Sequence, residues 1–428
     1  MAANFSRKSL DQNWGQLDSA YKLIEPEFRM LSDYFQPRRG RFLQGASEQN
    51  QTQRRTNRLI DHTPRQASNR LSAGFLAGVT SPARPWFKLK HPNPEFKQSG
   101  PVAEWMESTT RRMREVMSQT NLYQVLQMMY GEAGSFGTAA MAVLEDDESV
   151  FRCQPFTVGQ YRIAQNHRYQ VDTFYYETTM TPYQMASQFG LENMSRQAKS
   201  AFENQKYNTY FTVRMGAFPN KNRDPEKIDN KNMPFTAVYW EPGTGEEDDK
   251  VLLHSGFREF PFLTTRWESN AEDEWGSDCP GMQVVGKAKA LQIMHREKDK
   301  GIAKQVDPPL NVPAQLKKLG ASVMPGAANY LNSMGGSETI TPIYSVNPNV
   351  QGLLLNINDA REQINQAFFV DLFLMISQMD DHRMTATEVA QRQEEKLIML
   401  GPVLERMQYE LLGPLIDRIF SIMLKKGL

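Results

Sequence analysis

The stretch MDDHRMTATE, late in the chain, contains the residue types that a metal site or an acid–base mechanism would use. Asp380, Asp381 and His382 are adjacent, and carboxylates and imidazoles serve as metal ligands and proton carriers. One hypothesis is therefore a metal-dependent nuclease. Adjacent side chains in a loop diverge, however, and Thr385 and Glu388 have the spacing of a capping box, which starts a helix. We favour the second hypothesis, a structural loop between two helices.

The sequence contains no Walker-A loop, no Gly-x-Ser-x-Gly motif, no His-Glu-x-x-His motif and no Cys–His metal spacing. Its six histidines are scattered, and no two have helical spacing. Asp61 and His62 precede a predicted helix, where a helix-start role explains them better than a metal site. The sequence therefore predicts no catalytic residue, no metal and no cofactor, and it does not support an ATPase motor.

A cluster of positive charge marks the predicted helix 281–306. Its six cations are Lys287, Lys289, Arg296, Lys298, Lys300 and Lys304. Only Glu297 and Asp299 oppose them, and the helix has no aromatic residue. A solvated basic surface and a surface facing DNA both fit this pattern. The lack of aromatic residues favours contacts with the phosphates of duplex DNA over capture of single strands.

A second group of cations follows the first predicted helix. Its members are Arg38, Arg39, Arg41, Arg54, Arg55 and Arg58. The only acidic residue within this stretch is Glu48. Contact with nucleic acid, an arm against an acidic neighbour and a solvated loop all remain open.

Apolar spacings of three and four predict long helices, and aromatic and β-branched runs predict strands between them. The predicted helices are 9–35, 63–79, 101–132, 281–306, 349–378 and 386–424, with helical residues also in the insert TPYQMASQFGLENMSRQAKSAFENQ. Strand-like residues cover 149–178 and 208–266, and FGTAAMAVLED reads as a turn into a buried strand. Thr63 is the predicted N-cap of its helix, and TSPARPWFKL is predicted to lead into a short strand.

The composition excludes several protein classes. The 428 residues include 49 Lys and Arg and 49 Asp and Glu, and this zero net charge argues against a general nucleic-acid coat but allows a local basic surface. Cys153 and Cys279 are too few for a disulfide scaffold or a Cys-based zinc site, so we expect buried free thiols. No signal segment or apolar run of membrane-spanning length is evident, so we expect no membrane association.

Four stretches together suggest a family. They are LIDHTPRQASNRLSAGFLAGVTSPARPWFKL, FGTAAMAVLED, the Gly-Met-Gln-Val helix running into DPPLNVP, and MTATEVAQRQEEKLIMLGPVLERMQYELLGPLIDRIF. In this order and over almost the whole chain, they resemble the head-to-tail connector, or portal, proteins of short-tailed bacteriophages. None of the four is a catalytic motif.

The resemblance implies an α+β portal fold in a ring-forming subunit, with a mixed α/β wing, a long two-helix stem, a small α/β clip and C-terminal helices. Carried over by position, the parts are the wing at 1–280, the first stem helix at 281–306, the clip at 307–348, the second stem helix at 349–378, the tunnel loop at 379–385 and the C-terminal wing or crown-base helices at 386–428. Asp380, Asp381, His382 and Arg383 would then form a mixed-charge ring facing DNA.

The resemblance also implies a function without enzymatic activity. The expected assembly is a homododecameric ring at the portal vertex of the phage head, formed in the host cytoplasm, through which double-stranded DNA is packaged and ejected without sequence specificity. The expected partners are the terminase large subunit, tail adaptor proteins, and the major capsid and scaffolding proteins. A third hypothesis, beside the portal ring and the metal-dependent nuclease, is a monomeric DNA-binding module. In the portal interpretation, charge reversal at Lys298, Lys300 and Lys304 should impair packaging but not ring assembly.

Overall fold

A computed structural model of the protein describes residues 6–41, 59–91, 100–221, 223–224, 226–227, 229–243, 251–270, 272–306, 310–311, 341–342, 350–377 and 400–428. The chain forms two compact units. The first comprises Met1–Val285 and Ile364–Leu428, and the second comprises Gly286–Gln363. Helices and antiparallel sheets occur together, so the predicted α+β class is confirmed.

The α-helices of the described residues are named in chain order. They are α1 (Arg7–Tyr34), α2 (Thr63–Gly78), α3 (Gly100–Gln119), α4 (Leu122–Phe136), α5 (Pro182–Phe189), α6 (Arg196–Glu203), α7 (Pro280–Val306), α8 (Val350–Ala367), α9 (Val370–Ser377), α10 (Gly401–Met407) and α11 (Gly413–Lys425). A π-helical segment, Gln408–Leu412, joins the last two.

The strands form antiparallel sheets. They are β1 (Thr138–Asp146), β2 (Val150–Phe156), β3 (Tyr161–Gln165), β4 (Val171–Met180), β5 (Phe211–Pro219), β6 (Phe235–Trp240), β7 (Leu253–Phe257), β8 (Phe262–Arg266), β9 (Leu310–Asn311) and β10 (Thr341–Pro342). In the first unit, one sheet has the order β2-β1-β8 and another has the order β3-β4-β5-β6-β7. The pair β9-β10 belongs to the second unit.

Strand β4 is buried on both faces, which explains its continuous aromatic run. Phe174 and Tyr176 point toward the three-stranded sheet, where Phe174 stacks on Phe262 with ring centroids 4.4 Å apart. Tyr175 points the other way and packs with Trp240 and Leu10 of α1. Successive side chains of a strand alternate between its faces, so three adjacent aromatic residues require a cover on each side.

Helix α1 is fixed to the five-stranded sheet by charges as well as by apolar contacts. Arg162 of β3 donates to Asp18 Oδ1 from both Nη2, at 2.6 Å, and Nε, at 3.1 Å, and its guanidinium lies over the Tyr21 ring at 3.6 Å. Asp11 accepts hydrogen bonds from Arg214 at 3.0 Å and from the Trp240 indole at 2.9 Å. These contacts set the direction of α1 across the sheet, and they use carboxylates that the sequence left unassigned.

The insert between β4 and β5 begins at the predicted residues. Thr181 caps α5 in a reciprocal capping box with Gln184, and Pro182 occupies the first turn. Ser195 caps α6 in the same way as Thr181, by accepting from the backbone N–H of Ala198. The helical residues predicted here are therefore confirmed, as two short helices.

Two predicted helices are interrupted in the structure. The predicted helix 101–132 is divided into α3 and α4 because Asn121 pairs with the β2 backbone, donating to Cys153 O at 2.7 Å and accepting from Cys153 N at 2.9 Å. The predicted helix 349–378 is divided into α8 and α9 at Phe369, whose φ is +54°. Both predictions of one unbroken helix were wrong.

Two further predictions near α2 were also wrong. His62, not Thr63, occupies the N-cap position, and Asp61 accepts a hydrogen bond from Thr63 N at 2.7 Å. The segment with Trp86 and Phe87 forms no strand, because the nearby prolines cannot donate to a ladder. The Leu89 N–H donates instead to the Thr110 hydroxyl of α3 at 3.3 Å.

The remaining predicted elements near the sheets are present. Gly137 has a left-handed conformation, φ +78°, and forms the turn between α4 and the buried strand β1. Cys153 and Cys279 are free and buried, as expected, and burial raises the pKa of each thiol to about 12. Both thiols are therefore protonated and unreactive at neutral pH.

Candidate nucleic-acid interface

The six cations predicted to face DNA all lie on α7, whose bounds match the predicted helix to within one residue. Four of them share one exposed side of the helix. This basic face consists of Lys289, Arg296, Lys300 and Lys304. Successive helical residues are about 100° apart, so the four fall within an arc of roughly 80°. The buried residues Ala288, Leu291 and Gln292 lie outside this arc.

Lys287 and Lys298 are not part of the basic face. Their positions are roughly 140–160° from the middle of its arc. Lys298 is half-buried, and its Nζ lies 3.7 Å from Asp299 Oδ1. The sequence pattern predicted one set of six cations, whereas the structure divides them into four and two.

The cations of the basic face are lightly neutralised. Lys300 forms an ion pair with Glu297, three residues earlier, at 3.1 Å, and both side chains are more than half exposed. Within the described part of the chain, Lys289, Arg296 and Lys304 form no ion pair. Exposed pairs of this kind are weak, so the face keeps most of its positive charge for an external partner.

The basic face also has a defined length. Lys289 and Lys304 are separated by roughly 22 Å along the helix axis, at 1.5 Å per residue. Ile293, with 49% of its surface exposed, lies among the cations. Helix α7 contains no Phe, Tyr or Trp that could stack on an unpaired base. The face can therefore attract a polyanion through its charge, without the stacking that captures single strands.

Helix α8 contributes to the same unit as the basic face. Its buried residues Ile357 and Ala360 have helical spacing, whereas Leu354 and Leu355 are 42% and 69% exposed. The Arg361 guanidinium lies 3.3 Å from the His295 ring of α7. The exposed leucines leave apolar surface available for another chain.

Several predicted site residues lie outside the described residues. They are Asp380, Asp381, His382 and Arg383 of the predicted tunnel loop, Thr385 and Glu388 of the predicted capping box, and Arg54, Arg55 and Arg58. In the described parts of the chain, no three His, Cys, Asp or Glu side chains are close enough to hold a metal ion. No helix there is both long enough and apolar enough to cross a membrane.

Two of the three described members of the arginine-rich stretch, Arg39 and Arg41, are held by the protein itself. Arg41 donates to the Glu177 carbonyl at 3.0 Å, and its backbone N–H donates to Val158 O at 2.8 Å. Arg39 lies 3.5 Å from Glu132 of α4. Both residues fix the loop after α1, so the solvated-loop alternative does not apply to them.

Sequence reasoning missed Glu132, although it is a lone acid in the apolar run LYQVLQMMYGEAGSF. It is 2% exposed, and burial raises its pKa to about 7 against the opposing effect of Arg39. Neither carboxylate oxygen has a hydrogen-bond partner among the described residues, and the contact with Arg39 is long. The single Glu within this apolar run could have been recognised from the sequence as a candidate buried acid.

Comparison with known proteins identifies the family. The sequence matches the family described as "Bacteriophage head to tail connecting protein" over residues 7–428. The chain belongs to this head-to-tail connecting family. It is 45% identical over 426 residues to a "Portal protein" of Salmonella phage epsilon15 and 38% identical over 428 residues to a "Probable portal protein" of Bordetella phage BPP-1. Each alignment covers 100% of this chain and 76% of the relative.

The resemblance stated from the sequence motifs is thereby confirmed. The descriptions of the family and of both relatives name connection and portal roles, and none names an enzymatic activity. In a head-to-tail connecting protein, an exposed basic helix without aromatic residues is a candidate surface for contact with DNA phosphates.

Proposed function

We propose that the protein is a phage portal, a homododecameric ring at one vertex of the head. Double-stranded DNA passes through the ring during packaging and ejection. The observation that carries this proposal is the family match over residues 7–428, together with the portal names of two relatives that align over the whole chain. The protein then resides in the virion, after assembly in the host cytoplasm.

In the proposed ring, α7 and the helices α8–α9 form the stem, and the basic face of α7 turns toward the channel. Twelve-fold repetition converts each cation into a band of positive charge around the DNA. The bands are spaced roughly 6–10 Å apart along the axis, from the helical rise. Contacts with phosphates carry no sequence information, so DNA of any sequence slides past them.

The modest positive charge of the basic face suits the transport of DNA. Each phosphate that is neutralised releases counterions and strengthens binding. Four lysine and arginine side chains per subunit, without stacking aromatic residues, attract the duplex but do not hold it tightly. We place Asp380, Asp381, His382 and Arg383 in the tunnel loop of the same channel, where mixed charges reduce adhesion.

The remaining parts of the proposal concern partners. Residues 307–348 form the clip, which docks the terminase large subunit during filling and tail adaptor proteins afterwards. Residues 1–280 and 386–428 form the wing, which meets the major capsid and scaffolding proteins. The low charge of the clip segment and its richness in Pro, Gly and Asn support a docking role.

The ring and the nuclease hypothesis predict different assemblies. Light scattering of the purified full chain should give about 590 kDa, which is twelve copies of a 49.0 kDa subunit, and negative-stain images should show rings. The ring should not cleave DNA in the presence of Mg²⁺. A monomer that cleaves DNA with Mg²⁺ would instead support the nuclease with Asp380, Asp381 and His382.

A matched pair of variants tests the channel face. K300E/K304E reverses two charges on the basic face, and K287E/K298E reverses two on the other side of the same helix. Both rings should retain their mass, and only K300E/K304E should reduce packaged DNA, by about tenfold or more, because phosphate contacts become repulsions. Equal packaging by the two variants would show that the basic face does not line the channel. Loss of the K300E/K304E ring would assign these lysines to a subunit interface.

A further inference from the structure

A cavity in the first unit is lined by arginines from two elements. It lies between the loop after α1, the N-terminal half of α2 and the middle of α4, and its volume is about 350 Å³. Its cations are Arg38 and Arg39 of the loop and Arg65 of α2, and Asn69 and Gln127 add side-chain amides. We call it the arginine cavity. No Asp or Glu is among the residues that line it.

The charges of the arginine cavity are only partly compensated. Arg39 lies 3.5 Å from the buried Glu132, which follows the lining residue Gly131 in the chain. Arg38 and Arg65 form no ion pair with any residue that the structure describes. Arg38 and Arg65 both line this one small volume. An anion bound there would meet two cations that have no acidic partner among the described residues.

The loop that carries two of these arginines is rigidly held. The Ser32 hydroxyl donates to Arg39 O at 2.6 Å, and Gly40 N donates to the Thr157 hydroxyl at 2.8 Å. The Gln36 amide donates to the hydroxyls of Ser68 and Ser135, each at 3.1 Å. The cavity is therefore shaped before any ligand arrives, which lowers the entropic cost of binding.

The space beside this loop depends on a glycine. A Cβ atom at Gly131 would lie 3.0 Å from the Gln36 amide nitrogen and 3.4 Å from Ser72 Cβ. Helix α4 thus approaches the loop closely at this point, and its missing side chain leaves room for the Gln36 hydrogen bonds. The volume of the arginine cavity, about 350 Å³, is within the range of small-ligand sites, which is about 300–1,000 Å³.

We propose that the arginine cavity binds a phosphate group, supplied either by the DNA backbone or by a free phosphate ester. Guanidinium groups bind phosphate through paired N–H donors. The two uncompensated cations match the charge of a phosphate monoester, which is about −1.5 to −2 at pH 7, or of two neighbouring backbone phosphates, which carry one negative charge each. The amides of Asn69 and Gln127 supply further donors. This proposal stands independently of the ring and of the basic face of α7.

Phosphate binding to the full-length protein tests the proposal. The thermal unfolding midpoint is followed as inorganic phosphate replaces chloride at constant ionic strength. Phosphate should raise the midpoint of the wild-type protein in a saturable manner. R38Q/R65Q should weaken the apparent affinity at least tenfold. The control R70Q/R168Q, which removes two exposed arginines outside the cavity, should change it less than twofold.

Two results would overturn the proposal. One is a phosphate response in R38Q/R65Q within twofold of the wild type while both proteins unfold cooperatively. The other is a wild-type midpoint that does not rise as phosphate replaces chloride. If R38Q/R65Q fails to fold, R38K/R65K replaces it, because lysine keeps the charge but loses the paired donors. An unchanged phosphate affinity in that variant would also count against the site.

Competition then identifies the source of the phosphate. A 12-base-pair duplex that displaces inorganic phosphate assigns the site to the DNA backbone. A duplex that fails to displace it, together with tighter binding of a phosphate monoester, assigns the site to a free ester. Stronger displacement by a polyglutamate peptide than by either phosphate probe would show that the cavity takes carboxylates, and the proposal would be wrong.

Discussion

Arg266 and Lys304 are both cations, and the comparison between their surroundings separates the two units of the molecule. Arg266 is 3% exposed and donates to Glu410, Gln165 Oε1 and two backbone carbonyl oxygens. Lys304 on α7 is exposed and forms no ion pair within the described residues. The first unit uses cations to hold its elements together, whereas α7 presents them outward. Burial and the number of partners distinguish these roles, and the residue type does not.

The strongest test of this comparison removes the buried cation. R266M leaves Glu410, whose side chain is 12% exposed, without its guanidinium partner, although the backbone N–H of residue 266 still donates to Glu410 Oε2. Breaking a buried pair on one side costs about 3–5 kcal/mol. We expect the free energy of unfolding in urea to fall by about that amount, because β8 loses the side-chain ion pair that joins it to the π-helical segment. The double variant R266M/E410L should recover part of the loss. A fall below about 1 kcal/mol for R266M would contradict a structural role.

A second test uses the buried acid in the same unit. The pKa of Glu132 is about 7 in the folded protein, above its ordinary value of 4.5. Because the pKa is higher in the folded state, protonation of Glu132 stabilises the fold. This stabilisation is fully present below pH 4.5 and is lost as the pH rises through about 7. The wild type should therefore lose about 2–3 kcal/mol between pH 5 and pH 8 from this group, at 1.36 kcal/mol per pKa unit.

The variant E132Q isolates that effect. It lacks the titrating group, so its free energy of unfolding relative to wild type should be more favourable at pH 8 than at pH 5 by about 2–3 kcal/mol. Urea unfolding at the two pH values measures the difference. Parallel pH dependence in the two proteins would show that Arg39 stabilises the carboxylate enough to offset its burial.

The smallest expected effect is on the basic face. K300A removes the exposed ion pair with Glu297. Such a pair contributes about 0.2–0.5 kcal/mol, so the free energy of unfolding should change by less than about 0.5 kcal/mol. A loss above 1 kcal/mol would mean that Lys300 holds the fold together as Arg266 does. The difference between the two regions would then disappear.

Much of the fold could be predicted because local rules determine it. The spacing of Leu10, Trp14 and Tyr21 predicts α1, and Thr181 with Pro182 predicts the start of α5. The division of α3 from α4 could not be predicted, because Asn121 finds its partner in β2, 32 residues further along the chain. Tertiary contacts of this kind override helix periodicity.

The candidate site was predictable only in part. The cations of α7 are evident in the sequence, and their division into four and two follows from their angular positions around the helix. The arginine cavity could not be predicted, since Arg38 and Arg65 are brought together only by the packing of α2 against α4 and the loop after α1. The sequence placed Arg65 in an ordinary helix and Arg38 in a loop.

The central claim is that the basic face of α7 meets DNA, and crosslinking in DNA-filled heads tests it most directly. A photo-crosslinking amino acid replaces Lys300 in one protein and Lys287 in another, and the fraction of subunits joined to DNA after irradiation is measured. We expect crosslinks from position 300 at a level at least tenfold above those from position 287. Crosslinks from position 287 equal to or greater than those from position 300 would contradict it.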